Sequence, residues 1–351
     1  MIRNNPLCML LLMAVTGCCF ISCTKKEVYV NETTAPQPKL LQYIQNNFTF
    51  TLFYAALKKT GLDQVLEEKD SLTVLVPDND AFKKQGINTV ADIAQLNTDS
   101  LKKAIAYHIL PVKVLYKDIP QTVDNEYPNL SGNTLYFSKP ITPDPSGRNK
   151  GHVNGAAFTY VDRITKNGVV HVIDRLLKQP APSVKALLDA DTTYRYFVAA
   201  LKKFGLYEQL DGPGPFTVLA VPNTGFTNWN ISPDSIAKLD TLQWKKYLFG
   251  VYVLYPNRLF LSDFLDAPGT KNFDNGIGNY VFSESGVLYF QYLRILVYGY
   301  AKDYGTRFNP ILGDGWYKAA TFINSDNIAQ NGVVQVMDKL IIYPSDMKKK
   351  R

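Results

Sequence analysis

His108, His152 and His171 are the only histidines of the chain, and all three lie in its first half. Three imidazoles around one open coordination position are the ligand set of a catalytic zinc site. Their spacing argues against that use, because no His-x-x-x-His pair and no acid-rich flank accompanies any of them. A carboxylate pair for general acid–base work is the next candidate. Asp174 and Asp338 recur at the same place in two similar phrases, but each is followed by a base, Arg175 or Lys339. A general acid must reach a substrate beside a second functional group. Two acids in separate repeats do not meet that condition, and a local ion pair on a strand edge is the expected role. No nucleophile elbow, phosphate-binding glycine loop or dinucleotide fingerprint occurs, and "GPGP" at 212–215 is turn composition. All four cysteines (Cys8, Cys18, Cys19, Cys23) fall in the first 23 residues, so thiol chemistry is excluded from the rest. The expectation is a non-enzyme with no cofactor and no metal.

The elements that hold these residues come as a repeat, which must be read before any other feature of the fold. The phrase "NGVVHVIDRLL" runs from Asn167 and "NGVVQVMDKLI" from Asn331. In each, Asn167-Gly168 or Asn331-Gly332 reads as a tight turn at positive φ, and the alternating apolar run as a strand with one buried face. His171 becomes Gln335, while Asp174 and Asp338 are kept. Upstream, "FTLFYAALKKTGL" from Phe50 has helical periodicity with Gly61 as its stop, and "YRYFVAALKKFGL" from Tyr194 answers it. "SLTVLVPDNDAF" (71–82) matches "PFTVLAVPNTGF" (215–226), and "AIAYHILP" (104–111) matches "LFGVYVLYP" (248–256). The offset is 144 residues from Phe53 to Phe197 and 164 from Asn167 to Asn331, so the second copy carries an insertion of 20 (164 minus 144). Pro180 and Pro182 mark a short linker between the copies.

The ordered set of helix, "TVLVPDNDAF", "YHILP" and "NGVVHVIDRLL" resembles the fasciclin domain. The resemblance covers 40–178 and, with departures, 183–343. His108 is matched by Tyr252, His171 by Gln335 and Ala81-Phe82 by Gly225-Phe226, which puts functional carry-over to the second copy in doubt. What the resemblance implies is an α+β fold: two tandem domains, each a small twisted β-sandwich wedge with several packed helices. It also implies that His108 and His171 are structural, satisfying backbone groups at the core edge. Fasciclin domains serve adhesion, matrix association or ligand binding, and are not typically enzymes.

The remaining regions bear on location and partners. Residues 1–22 read as a bacterial lipoprotein signal peptide, a basic start and a short apolar run ending in a lipobox. Cys23 is the expected lipidation site and Cys18 the alternative. Residues 23–39 read as a flexible tether and 344–351 as a basic tail. Net charge is +7, partly from that tail, with no cluster on one element, so no nucleic-acid partner is expected. The insertion, about 287–318, gathers nine aromatic residues around glycine-bearing turns. "VLYFQYLRILVYGY" alternates as two strands, and "AKDYGTRFNPILGDGWYK" reads as a loop extension. Tyr304, Arg307, Trp316 and Tyr317 are its candidate ligand-binding residues, since Tyr, Trp and Arg dominate binding hot spots. The alternative is that these rings pack over the sandwich as added core. The lipobox, the "CTKKE" start and the tyrosine content resemble Bacteroidetes-type surface lipoproteins. The expected protein is therefore lipid-anchored at the outer membrane, exposed at the cell surface, and engaged with an outer-membrane protein complex or an extracellular protein. A glycan-binding accessory role in polysaccharide uptake is the alternative.

Overall fold

Leu52, Phe53, Ala56, Leu57 and Thr60 lie on one side of the helix Thr51–Thr60, and all five are buried. Gly61 ends that helix at φ 72, the left-handed position that favours glycine. The buried side packs on the helix Thr98–Ala106, which contributes Leu101 and Ile105 to the same core. Each large apolar side chain so buried contributes about 1.5–3 kcal/mol. The computed structural model describes residues 36–140, 150–242, 247–263 and 320–340, and only strand residues between 271 and 316. The leader, Cys18, Cys23, Tyr304, Tyr317 and the basic tail lie outside the described residues. No helix among the described residues is long and apolar enough to cross a membrane.

The strands of the first half are β1 (Leu72–Pro77), β2 (Ile109–Leu110), β3 (Asn125–Pro128), β4 (Thr134–Ser138), β5 (His152–Val153), β6 (Ala156–Thr165) and β7 (Gly168–Ile173). They form one sheet in the order β2-β1-β7-β6-β5-β4-β3. β1 and β7 run parallel, from Leu72 opposite Gly168 to Pro77 opposite Ile173. Val74, Val76, Val170 and Val172 face the helices. Leu75 and Ile173 join a second cluster with Leu135, Phe137, Val153 and Phe158, so the β4–β6 end of the sheet folds over the opposite face. Two register shifts in β6, between Phe158 and Tyr160 and between Tyr160 and Arg163, supply the bend, and Asp162 within the second takes φ 56. The one-faced alternation expected for the repeated phrase is therefore not what is found. β7 is buried at every position, because a central strand with a parallel partner is covered on both faces.

The second half continues with β8 (Phe216–Ala220), β9 (Val253–Leu254), β10 (Lys271–Asp274), β11 (Asn279–Phe282), β12 (Val287–Phe290), β13 (Leu293–Tyr298), β14 (Arg307–Leu312), β15 (Gly315–Trp316), β16 (Ala320–Ala329) and β17 (Gly332–Met337). β17 lies parallel to β8 and antiparallel to β16, and β9 flanks β8, as in the first half. The fold is α+β. In the insertion, β12 and β13 are the two expected strands. The stretch read as a loop extension instead contains β14 and β15: β14 pairs along its whole length with β13, and Ile311 stands opposite Trp316. Pro310 lies within β14 and Gly315 opens β15, so these turn-type residues do not exclude strand there.

Candidate functional site

The repeated polar residues do the same structural work in both halves. Asn167 Oδ1 accepts the Leu40 N–H at 2.8 Å, and its Nδ2 donates to the carbonyls of Leu66 and Lys69. Asn331 accepts from Val184 N–H and donates to Leu210 and Gly212. Each asparagine thus ties the start of its closing strand to a helix N-terminus and to the loop before the parallel partner. Neither asparagine nor glycine of the pair takes a positive φ, contrary to the sequence expectation. The glycine is needed for close approach: a Cβ on Gly168 would meet Leu72 O at 2.3 Å, and one on Gly332 would meet Phe216 O at 2.3 Å. Asp174 Oδ1 accepts the Ala157 N–H, and Asp338 Oδ1 accepts the Thr321 N–H. Asp174 also pairs with Arg175 at 3.2 Å. The matching pair of Asp338 with Lys339 is not found, since that carboxylate faces the β16 backbone.

His171 is fully buried, with Nδ1 accepting the Asp162 N–H at 3.1 Å and Nε2 donating to Val114 O at 2.9 Å. Gln335 reproduces both bonds, Oε1 accepting the Asp326 N–H at 2.9 Å and Nε2 donating to Leu259 O at 3.1 Å. A side-chain amide carries one acceptor and one donor end, as does a neutral imidazole, so the exchange keeps the frame. His108 donates from Nδ1 to Ala104 O and accepts the Leu177 N–H at Nε2, which requires the opposite tautomer. Its ring also meets Phe53 edge-on, and Tyr252 meets Phe197 in the same way. Both histidines sit within the core, not at its edge. Burial lowers the pKa of His108 to about 4, only partly opposed by the Ala104 carbonyl. Burial also lowers that of His171, against Val114 O and the Asp162 charge. His152 is lowered to about 4, by burial first and by the Arg175 charge second. Both nitrogens of His108 and His171 are taken by backbone groups. Among the described residues no three His, Cys, Asp or Glu side chains converge as a metal site would require.

Of the ligand-binding candidates, Arg307 opens β14, in register with Tyr298 and Thr321, and Trp316 ends β15. Tyr304 and Tyr317 lie outside the described residues. What the sequence did not disclose is a seam between the halves. Arg258 is 3% exposed, stacks 3.4 Å from the Tyr136 ring centre, pairs with Asp124 at 3.1 Å and donates to Gln330 O. Tyr136, Phe260, Ile328 and Val333 form a cluster of their own across it. The linker residue Ala181 exchanges backbone hydrogen bonds with Ile328 and Gln330. Asp263 is buried there, with Oδ2 accepting the Phe260 N–H and Oδ1 unpartnered near the Ser138 hydroxyl. Burial raises its pKa to about 7. No local motif marks such residues, because their partners lie far away in the chain.

A family model for the fasciclin domain matches residues 48–180. Protein sll1483 of Synechocystis sp. is 31% identical over 159 residues, covering 45% of this chain and 83% of that protein. Periostin of Homo sapiens is 29% identical over 171 residues, 47% of this chain and 19% of its own length. The chain thus spans about a fifth of periostin. The solved FAS1 domain pair from the insect cell adhesion molecule fasciclin I is similar at 19% identity over 84% of this chain and 97% of that one, with a TM-score of 0.37.

Proposed function

Because the chain belongs to the fasciclin domain family, we propose that it is a non-catalytic adhesion and binding protein whose second half is a diverged copy of the same domain. One observation carries this reading. The groups of the repeated motif that looked capable of chemistry, His108, His171, Asp174 and Asn167, with Gln335, Asp338 and Asn331 of the second half, are engaged by main-chain partners. Such a motif builds a frame, and recognition falls to surfaces that the two copies do not share. The insertion strands β12–β15 are the largest such difference. On this reading the protein is lipid-anchored through Cys23 at the outer membrane, faces outwards, and holds an outer-membrane or extracellular protein partner.

The test is retrieval of tagged full chain from gently solubilised native envelopes, read by mass spectrometry. A stoichiometric membrane partner, lost in a Trp316→Ala, Tyr317→Ala variant, supports the reading. A protein that emerges alone and is retarded by soluble polysaccharide assigns the insertion to glycan instead. Cys23→Ala releases the protein from membranes if that cysteine is the anchor, and full retention transfers the role to Cys18.

A further inference from the structure

Two hollows of the first half meet at one wall. The first, of about 280 Å³, lies against the second half and is polar. It is lined by Lys84, Arg175 and Lys178 and by the carboxylates of Asp174 and Asp326, with Ser325 beside them. The second is a groove of about 330 Å³ between the helix Thr98–Ala106 and the segment before it, walled by Phe82, Ile87, Leu96, Leu101, Ile105 and Leu176. Gln85, Leu176, Leu177 and Lys178 border both hollows. The shared wall is fixed in place, since the Leu177 N–H is bound to buried His108 and the Gln179 amide to Lys103 O.

The charges of the polar hollow are unequal. Arg175 is engaged with both carboxylates, Nε 3.2 Å from Asp174 and Nη1 3.4 Å from Asp326. Lys84 donates one hydrogen to Asp174 O at 3.0 Å, which leaves two of its three N–H bonds. Lys178 makes no ion pair among the described residues. Three cations against two carboxylates leave one positive charge, held on Lys84 within the polar hollow and on Lys178 where that hollow meets the apolar groove. We propose that this paired hollow binds a single-chain amphiphile with a monoanionic head, the carboxylate between Lys84 and Lys178 and the acyl chain along Leu96, Leu101 and Leu176. A methylene takes up about as much room as one liquid water, ~30 Å³, so the groove accepts a chain of roughly ten carbons. A neutral chain leaves the lysine charge unmatched, and a short acid leaves the apolar walls wet. The site is separate from the insertion and belongs to the first half with a rim from the second.

The probe is decanoic acid carrying a photoreactive diazirine near its chain end, irradiated with the full chain in native membranes, with crosslinked peptides identified by mass spectrometry. Labels are expected on 82–105 and 174–178. Unlabelled decanoate should compete at least tenfold better than decanol or decyltrimethylammonium. A Lys84→Glu, Lys178→Glu variant should lower labelling tenfold or more, and Ser100→Trp, an exposed position on the groove wall, should remove it. Hydrogen-exchange protection of β7, unchanged in both variants, shows that the fold survives. Labelling that neither variant alters, competition by decanol equal to that by decanoate, or equal competition by acetate overturns the proposal.

Discussion

Replacing His171 by glutamine moves the second half's solution into the first. The imidazole links the Asp162 N–H to the Val114 carbonyl across 3.1 and 2.9 Å, and Gln335 links the equivalent groups across 2.9 and 3.1 Å. A buried hydrogen bond contributes about 1 kcal/mol net, whereas a buried group left without its partner costs about 1–3 kcal/mol. His171→Ala orphans two groups and removes a ring that packs 5.6 Å from Phe158, so about 3–5 kcal/mol of first-half stability should be lost. His171→Gln keeps both bonds and forfeits only part of the ring packing, for about 1 kcal/mol. Hydrogen exchange of β1 and β7 amides under mild urea reads the first half. Trp229, Trp244 and Trp316 all lie in the second, so tryptophan fluorescence is the internal control and should not move. A glutamine variant as unstable as the alanine variant refutes the reasoning, since the imidazole itself would then be required.

Gly168→Ala should cost at least about 2 kcal/mol and loosen β7 from β1, because backbone, not a movable side chain, occupies the Cβ position; an exchange pattern equal to wild type contradicts this. His108 should make the first half acid-sensitive. Its pKa falls from 6.5 to about 4 in the fold, so its contribution is complete above pH 6.5 and is lost as pH falls towards 4, by up to about 3 kcal/mol. Asp263 works in the opposite sense, its folded pKa of about 7 favouring the fold at low pH and withdrawing that support as pH rises from 4 to 7. The difference between wild type and His108→Gln, measured by urea midpoint from pH 4 to 8, isolates the histidine; a constant difference contradicts the assignment. Arg258→Ala removes the ion pair with Asp124, the bond to Gln330 O and the stack on Tyr136 from the seam and should cost about 1–3 kcal/mol, read as parallel loss of protection in β4 and β16.

The parts of the fold that rest on local chemistry were legible in the sequence. The helix Thr51–Thr60 and its Gly61 stop follow from apolar spacing and backbone permissiveness, and the repeat located the closing strands. The parts that depend on tertiary neighbours were not. Asn-Gly looks like a turn because it usually is one; that its glycine admits Leu72 O, and its asparagine ties Leu40 to Lys69, depends on contacts about 100 residues away. The one-sided strand reading of β7 failed for the same reason, since the second covering layer comes from β4–β6. Lys84, Arg175 and Lys178 are ordinary surface cations in sequence, and only the fold brings them round one hollow.

The central claim is that the motif is a frame and that recognition lies elsewhere. It is tested most directly by comparing partner retrieval from native envelopes for wild type, His171→Gln, and the Trp316→Ala, Tyr317→Ala variant. The account predicts the same stoichiometric partner with the first two and its loss with the third. Loss of the partner in a fully folded His171→Gln protein would contradict it, because the histidine would then belong to the binding site.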